Sequence, residues 1–189
     1  MYMPSTDPVT IETERLVLRS WREADKSAFA ALNADPEVMR HFPQPLTREE
    51  SDAVADRIIM RMAERGWGFF AVEVRGGPPF VGFVGLNEPA YAIPCGPCVE
   101  VAWRLARTAW GKGYAIEAAG AAVDLGFRQL GLAEIVAFTA VGNDRSRRVM
   151  QRLGMTHDVA DDFDHPMIAE GHPLRRHVLY RLPAPGDAG

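Results

Sequence analysis

The chain has 189 residues, of which 47% are hydrophobic and 24% are charged, and its formal net charge is −4. This composition is too apolar for a disordered chain, and the mild acidity argues against binding to nucleic-acid backbones. No apolar run approaches the roughly 18 residues of a membrane-spanning helix, and residues 1–10 lack a secretory signal pattern. We therefore expect one cytoplasmic domain over residues 1–189, with an ordered core at about 11–182 and flexible ends.

The hydrophobic periodicity predicts elements in an order that no doubly wound parallel sheet would have. In chain order the predicted elements are a strand at 14–19, helices at 26–34 and 47–65, strands at 68–75, 79–86 and 98–105, a helix at 115–130, a strand at 134–140, a helix at 143–153 and a strand at 177–182. Asp25 is expected to cap the first helix, and Thr47 with Glu50 has the spacing of a capping box. The turn at 75–78 predicts antiparallel pairing of the central strands. We therefore expect an α+β fold in which helices flank a mixed, mostly antiparallel sheet.

The segment at 110–115, Trp-Gly-Lys-Gly-Tyr-Ala, carries the most information about function. Its glycines allow close approach to a ligand, and the helix that follows offers unpaired amides and a positive dipole end to a phosphate. The sequence does not match a P-loop, because no Ser or Thr follows Lys112, and it lacks the register of a dinucleotide fingerprint. On this evidence alone, a tight turn that only redirects the chain is an equally good interpretation.

The same segment resembles the acetyl-coenzyme A loop of the GNAT superfamily of N-acetyltransferases, usually written Gln/Arg-x-x-Gly-x-Gly/Ala. Gly113 and Ala115 match the last two positions, whereas Trp110 stands where Gln or Arg is common. The form of the loop is similar to the RimJ/RimL-like branch, which acetylates ribosomal-protein N-termini. Further motifs similar to that branch lie at 13–19, 100–105, 117–118, 143–146, 153–155 and 177–182. The resemblance covers about residues 11–182 and implies the GNAT fold.

The resemblance also implies that acetyl-coenzyme A donates the acetyl group. The loop amides would hold the pyrophosphate, and a strand at about 99–105, splayed from its neighbour, would hold the pantetheine and polarise the thioester. The implied coenzyme A contacts are Val101, Trp103, Arg107, Trp110, Gly111, Lys112, Gly113, Tyr114, Ala115, Asn143 and Ser146. For the cations in this set, a solvated surface position is the alternative interpretation.

Acetyl transfer to an amine needs a base, because an ammonium group cannot attack, and an acid for the leaving thiolate. Glu100 is the best candidate base, with an ordinary exposed or paired carboxylate as the alternative. The family often has a tyrosine acid seven residues after the helix asparagine, but that position is Met150 here. Ser146 is the available substitute, unless it bonds only its own backbone, and Asn143 either contacts pantetheine or simply caps its helix.

The acceptor is expected to be a primary amine, either of a small molecule or of a protein N-terminus. Trp21, Phe42, Glu100 and His165 are the candidate acceptor contacts. Core packing is the alternative for the aromatic residues, and a solvated acidic loop is the alternative for residues 161–166. The sequence does not specify which amine is acetylated.

Cys95 and Cys98 have the spacing of a thioredoxin-like redox pair. No helix follows to activate the first thiol, and Gly-Pro between the cysteines is simple turn chemistry. We therefore favour a loop with two free thiols and expect neither a metal site nor a covalent acetyl-enzyme. The alternatives to an acetyltransferase are a non-catalytic acyl-coenzyme A sensor and, less favoured, a thiol–disulfide enzyme. We expect a monomer or a homodimer.

Overall fold

A computed structural model describes residues 9–186, so most of the two ends predicted to be flexible lies outside the described residues. The helices are α1 (Asp25–Ala34), α2 (Arg48–Arg65), α3 (Tyr114–Arg128) and α4 (Asp144–Arg152). The strands are β1 (Ile11–Glu12), β2 (Leu16–Arg19), β3 (Phe69–Val74), β4 (Gly82–Asn87), β5 (Glu100–Leu105), β6 (Glu134–Ala140), β7 (Thr156–His157), β8 (Phe163–Asp164) and β9 (Arg176–Pro183). No helix in this part of the chain is both long and apolar enough to cross a bilayer.

All nine strands belong to one sheet in the order β1-β2-β3-β4-β5-β6-β9-β7, and β8 also pairs with β9. The pairing is antiparallel except between β5 and β6, which run parallel. The chain passes from β5 to β6 through α3, as a parallel connection requires. The predicted mixed, mostly antiparallel α+β sheet is confirmed.

Helices cover both faces of the sheet because strand side chains alternate between the faces. One core cluster contains Val84 and Val101 of the central strands together with Ala118 and Ala122 of α3. On the opposite face, α1 and α2 enclose a second cluster that includes Phe29 and Phe83. β5 therefore lies between α3 on one face and the α1–α2 layer on the other, and it carries the candidate site.

The predicted capping box of α2 is confirmed, and the predicted cap of α1 is wrong. Thr47 Oγ1 accepts from the Glu50 amide at 3.2 Å, and Glu50 accepts in return from the Thr47 amide at 2.8 Å. Asp25 is instead the first helical residue of α1. Its carboxylate accepts two hydrogen bonds from the buried guanidinium of Arg19, at 2.8 and 3.0 Å, because that charge needs an anionic partner.

The short strands β7 and β8 are absent from the sequence prediction, because two residues carry no detectable periodicity. The acidic run at 161–166 is largely occupied by internal pairs. Asp161 accepts from Arg181 at 2.7 Å, and Asp162 lies 2.7 Å from a ring nitrogen of His157. These pairs fix the segment before β9 and remove two carboxylates from the set available to a ligand.

Candidate active site

A gap opens between β5 and β6 directly after their first residue pair. Glu100 pairs with Val136, and the Val136 amide donates to the Val99 carbonyl at 2.9 Å, but no later pair joins the two strands within the described residues. On its other edge, β5 pairs with β4 over its whole length. Along a strand, the backbone N–H and C=O groups of successive residues point alternately to the strand on one side and the strand on the other. Because those of Val99 point toward β6, those of Val101 and Trp103 do so as well. The peptide group of Trp103 therefore faces the gap without a strand partner.

Trp110 closes the far end of the gap. Its indole Nε1 donates a hydrogen bond to the Leu105 carbonyl at 2.8 Å. This bond satisfies the last carbonyl of β5 that points toward β6. The Arg145 guanidinium lies 4.1 Å from the centroid of the Trp110 ring. Trp110 thus connects the end of β5 to the glycine loop and to α4, and its side chain has a bracing role there. The side chains of Val101 and Trp103 pack with the core on the α3 face.

The glycine loop ends at the start of α3, which has no side-chain cap. Gly113 is the N-cap residue, with a left-handed backbone at φ 80°, and no side chain accepts a hydrogen bond from the first turn. A Cβ at Gly113 would lie 3.2 Å from Arg15 Nη2 in addition to straining the backbone. The amides of Tyr114 and Ala115 begin the helix and fall in the group that lacks intrahelical acceptors. These amides and the positive end of the helix dipole suit a phosphate group.

Two residues that the sequence analysis gave no role hold this loop in place. The Glu117 carboxylate accepts from the Arg15 amide, from Arg15 Nε and from Thr13 Oγ1, at 2.9, 2.7 and 2.6 Å. Arg15 Nη1 also donates to the Lys112 carbonyl at 2.8 Å. Together these bonds lower the pKa of Glu117 despite its partial burial. Both residues lie in motifs on which the family resemblance rests, but they are too far apart in sequence to be paired by spacing.

The predicted cationic contacts of the loop differ in their surroundings. Arg107 Nε lies 3.2 Å from the Asp35 carboxylate, so its charge is already paired with the end of α1. Lys112 is exposed, as is Gly111 beside it. The Tyr114 ring lies 5.1 Å below the Arg15 guanidinium. Of these residues, Lys112 has the side chain most available to a phosphate.

Glu100 lies at the point where β5 and β6 separate, on the face that carries α2. It is only 9% exposed, and Asn87 Nδ2 donates to its Oε1 at 2.8 Å. Burial disfavours the charged carboxylate and raises the pKa of Glu100 to about 7, while the Asn87 hydrogen bond acts in the opposite direction. A carboxylate that titrates near neutral pH is suited to take up a proton and release it again.

Asn143 and Ser146 form one hydrogen-bonded group at the start of α4. Asn143 caps the helix by accepting from the Ser146 amide at 3.3 Å, and its Nδ2 donates to Thr139 Oγ1 and Ser146 Oγ at 2.8 and 3.1 Å. The capping role of Asn143 is therefore confirmed. The Ser146 hydroxyl accepts from Asn143, and its own proton is free to point elsewhere. Met150 is 2% exposed within the core, so its side chain contributes no polar group.

The predicted acceptor contacts separate into two groups. Trp21 packs against Phe29 with ring centroids 4.9 Å apart and donates to the Phe69 carbonyl at 2.8 Å, which places it in the α1–α2 core. Phe42 is 38% exposed, and its ring lies 4.1 Å from the Arg104 guanidinium. Trp21 therefore has the packing role given above as its alternative, whereas Phe42 lies against the guanidinium of Arg104 in β5.

His165 reaches the same region through Tyr91. Its Nε2 lies 2.9 Å from the Tyr91 hydroxyl, and its ring centroid lies 4.8 Å from that of His177. Burial, together with His177, lowers the pKa of His165 to about 4, so the imidazole is neutral at pH 7. Tyr91 lines a cavity of about 310 Å³ between α2 and the sheet, where Trp67 and Asn87 also lie. His165 thus positions a cavity residue.

The two cysteines lie in a turn before β5, and their sulfur atoms are 3.3 Å apart. Burial and the Cys95 neighbour raise the pKa of Cys98 to about 12, which keeps it a thiol at neutral pH. A protonated thiol is a poor nucleophile, so Cys98 is unsuited to carrying an acetyl group. Within residues 9–186, no cluster of three His, Cys, Asp or Glu side chains is arranged to hold a metal ion.

The arrangement of strand gap, glycine loop and helix start agrees with a known family. A family model described as an acetyltransferase (GNAT) domain matches residues 15–156. The chain belongs to the GNAT acetyltransferase family. The matched range includes the loop, the gap and Glu100.

Individual relatives place this GNAT chain among N-acetyltransferases. It is 32% identical over 155 residues to FsC-acetyl coenzyme A-N(2)-transacetylase of Aspergillus fumigatus, covering 78% of this chain and 65% of that protein. A GNAT-family acetyltransferase from Bacillus anthracis has 25% identity and a TM-score of 0.76, covering 93% of this chain and 99% of the other. RimL, a ribosomal L7/L12 alpha-N-protein acetyltransferase in complex with coenzyme A, shares the fold, with a TM-score of 0.72, 18% identity and coverage of 93% and 98%. The chain is an N-acetyltransferase of the GNAT fold.

Proposed function

We propose that this GNAT enzyme transfers an acetyl group from acetyl-coenzyme A to a primary amine by direct attack within a ternary complex. The observation that carries the proposal is the divergence of β5 from β6 directly after Glu100, followed at the other end of β5 by the uncapped start of α3. Acetyl-coenzyme A has a reactive thioester at one end and a diphosphate further along. Its chemistry therefore matches the order of the two features along β5.

The residues present suit acetyl-coenzyme A. The amides at the start of α3 and the exposed side chain of Lys112 would hold the diphosphate, while Arg15 and Glu117 keep the loop in position. The free peptide group of Trp103 and the carbonyl of Val101 would pair with the pantetheine amides. A fixed amide donor at this gap also stabilises negative charge that develops on the thioester oxygen. Acetyl-coenzyme A supplies the activated acetyl group.

Glu100 acts as the general base in this proposal. The acceptor arrives as an ammonium ion, and one proton must leave before its nitrogen can attack. With a pKa raised to about 7, the Glu100 carboxylate is a stronger base than an exposed glutamate, while a substantial fraction remains ionised at neutral pH. Asn87 holds the carboxylate by donating to Oε1. The new carbon–nitrogen bond forms as the carbon–sulfur bond breaks.

Ser146 assists the departing thiolate by donating a hydrogen bond to its sulfur or by relaying a proton from water, so that the hydroxyl keeps a proton throughout. Its oxygen accepts from Asn143 Nδ2, which leaves the hydroxyl hydrogen available as a donor. A thiolate is a good leaving group, so a weak acid is sufficient at this step. The buried Met150 explains why no tyrosine performs the same task from α4.

The direct route is favoured because the half-buried thiol of Cys98 has a raised pKa and stays protonated beside Cys95. The acceptor is proposed to be the amine of a small molecule or a peptide. A single domain over residues 1–189, a cytoplasmic location and a monomeric or homodimeric state complete the proposal. These three points rest on the sequence reasoning.

A coenzyme A release assay tests the proposal. The purified chain is mixed with acetyl-coenzyme A and a panel of primary amines, and free thiol is followed while mass spectrometry identifies the acetylated product. The proposal predicts thiol release that depends on the acceptor, with equal amounts of product. Binding of acetyl-coenzyme A without release on any acceptor would instead favour the sensor, for which the missing tyrosine at Met150 is the supporting observation.

A further inference from the structure

The cavity beside α2 has a lining that the acetyl-transfer proposal does not use. Four of its residues are arginines: Arg57, Arg61 and Arg65 from α2, and Arg104 from β5. The three helical arginines are four residues apart and so share one face of α2. No Asp or Glu lines the cavity, although the chain as a whole carries a net charge of −4. The positive charge is therefore concentrated at this place.

Only one of the four arginines forms an ion pair within residues 9–186. Arg65 Nη1 lies 2.9 Å from the Glu88 carboxylate. Arg61 Nη1 donates to the neutral amide oxygen of Asn87 at 3.1 Å, and Arg57 and Arg104 have no carboxylate partner in the described part of the chain. Three guanidinium groups thus face or border the cavity without a neutralising anion.

Arg104 is the most informative of the four. Its Nη1 donates to Asn33 Oδ1 at 2.6 Å, and its guanidinium stacks on Phe42. Its Nε is buried and has no hydrogen-bond partner among residues 9–186. Burial lowers the pKa of the guanidinium to about 10, since no acid offsets the desolvation. A buried donor without a hydrogen-bond partner is energetically unfavourable. The Nε and Nη2 groups of a guanidinium form an edge that can donate two parallel hydrogen bonds to a carboxylate or a phosphate.

The cavity is connected to the candidate base. Asn87 lines the cavity, accepts from Arg61 and donates to Glu100. Glu100 and Arg104 lie on the same face of β5, because both have even positions in the strand and side chains alternate. A ligand held by the arginines therefore lies on the side of β5 from which an amine reaches Glu100.

We propose that the acceptor is a small primary amine that also carries an anionic group, a carboxylate or a phosphate, which the arginines of this cavity bind. The proposal rests on the acetyl-transfer function above and specifies its acceptor. A volume of about 310 Å³ is at the small end of ligand pockets and suits a molecule of amino-acid size. The arginines hold the anionic group, and Glu100 receives the proton of the amine.

Matched acceptor pairs test this proposal. Alanine is compared with ethylamine, which lacks the carboxylate, and O-phosphoethanolamine is compared with ethanolamine. A short peptide amide with neutral side chains is the fifth acceptor, and each kcat/KM is expressed per concentration of the free-base amine. We expect the anionic member of at least one pair to react tenfold or more faster than its neutral partner, and the two pairs distinguish carboxylate from phosphate.

Three variants assign the preference to the cavity. Arg57→Gln removes a surface guanidinium, and Arg104→Lys keeps the charge but removes Nε. Each of these two variants is expected to reduce the ratio of kcat/KM for the anionic amine to that for its neutral partner at least threefold. Arg48→Gln is the control, because Arg48 lies on the same helix, pairs with Asp52 and does not line the cavity. If Arg104→Lys does not fold, the ratio for Arg57→Gln still decides the assignment.

The outcomes distinguish this inference from the function on which it rests. Three results would overturn the inference of an anionic acceptor and leave acetyl transfer intact. They are equal rates within both pairs, a preference for the neutral amines or the peptide, and an anionic-to-neutral ratio that is unchanged in Arg57→Gln. Absence of thiol release with every acceptor, from protein that binds acetyl-coenzyme A, would overturn the acetyl-transfer proposal and this inference with it.

Discussion

In the proposed reaction, one edge and one face of β5 offer different kinds of groups to the two substrates. The cofactor edge, defined by the peptide groups of Val101 and Trp103 with the start of α3, consists of backbone donors and acceptors. The acceptor face, defined by Glu100, Arg104 and the cavity beside α2, carries charged side chains, of which Glu100 is buried and the cavity arginines are partly buried or exposed. Backbone groups are fixed by the fold, whereas buried charges take their properties from their neighbours. Substitutions on the edge should therefore change acetyl-coenzyme A binding, and those on the face should change rate and acceptor choice.

The largest expected effect comes from Glu100→Gln on the acceptor face. Loss of the base should lower kcat by about 10²–10⁴-fold with little change in acetyl-coenzyme A affinity. In the wild type, kcat/KM should rise with pH through about 7 as Glu100 ionises, and this limb should disappear in the variant. Steady-state rates from pH 5 to 9 provide the measurement. An unchanged profile would remove Glu100 as the base.

The same variant also tests the raised pKa of Glu100 through the stability of the protein. The pKa of Glu100 is raised from 4.5 to about 7, so the folded protein loses stability relative to the variant as pH rises through that interval. At pH 8 the variant should be the more stable protein, by at most about 3 kcal/mol. Denaturant unfolding at pH 5 and pH 8 measures the difference. A stability difference between variant and wild type that is the same at both pH values would contradict the raised pKa.

The next largest effect is expected for Gly113→Val on the cofactor edge. A branched side chain at φ 80° strains the loop and crowds Arg15, so acetyl-coenzyme A affinity should fall by about 100-fold. Gly76→Val is the matched control, because Gly76 has a φ of 66° in the turn between β3 and β4 with open space around it. Calorimetry on both folded variants measures the loss. Equal affinities in the two would show that the loop does not hold the diphosphate.

A smaller effect should follow Ser146→Ala, since the thiolate needs little assistance. We expect kcat to fall by about tenfold, at the weak end of acid catalysis, while acetyl-coenzyme A affinity stays nearly constant. Asn143 retains its cap through the Ser146 backbone amide, so folding should persist. Single-turnover kinetics isolates this step. A rate equal to wild type would leave Ser146 only as an acceptor for Asn143.

The smallest effect is expected for Arg15→Gln, which acts on the cofactor edge indirectly. Loss of the hydrogen bonds to Lys112 and Glu117 should loosen the loop and weaken acetyl-coenzyme A binding about fivefold, with kcat nearly unchanged. Arg75→Gln, which breaks an exposed pair with Glu12, serves as the control and should bind normally. A fall in kcat without a change in affinity would contradict this positioning role.

Local sequence signals predicted the secondary-structure elements better than the contacts between distant segments. The capping box of α2, the strand at 134–140 and the glycine loop before α3 each depend on residues close together in the chain, and all three appear in the structure. The opening between β5 and β6 was expected only from the family resemblance. The ends of strands and the starts of helices can be predicted from short motifs, because residues close together in the chain determine them.

Glu100 was predicted from the sequence, but the surroundings of Arg104 could not be, because they come from distant segments. Arg104 meets Asn33 across 71 residues, and nothing in either local sequence indicates that its Nε lacks a partner. Trp21 is a predicted acceptor contact, but the sequence around it does not show whether the indole lines a pocket or packs in the hydrophobic core. The predicted cap of α1 failed for a different reason, because Asp25 pairs with the buried Arg19 only six residues away.

Backbone amide shifts on addition of coenzyme A test most directly whether the cofactor edge binds the donor. In ¹⁵N-labelled protein, the account predicts that the largest changes occur at Trp103 and at residues 111–116. The start of α2, already capped by Thr47, should change little and serves as an internal reference. Large shifts centred on α2 or on the cavity arginines, with residues 111–116 unmoved, would contradict the account.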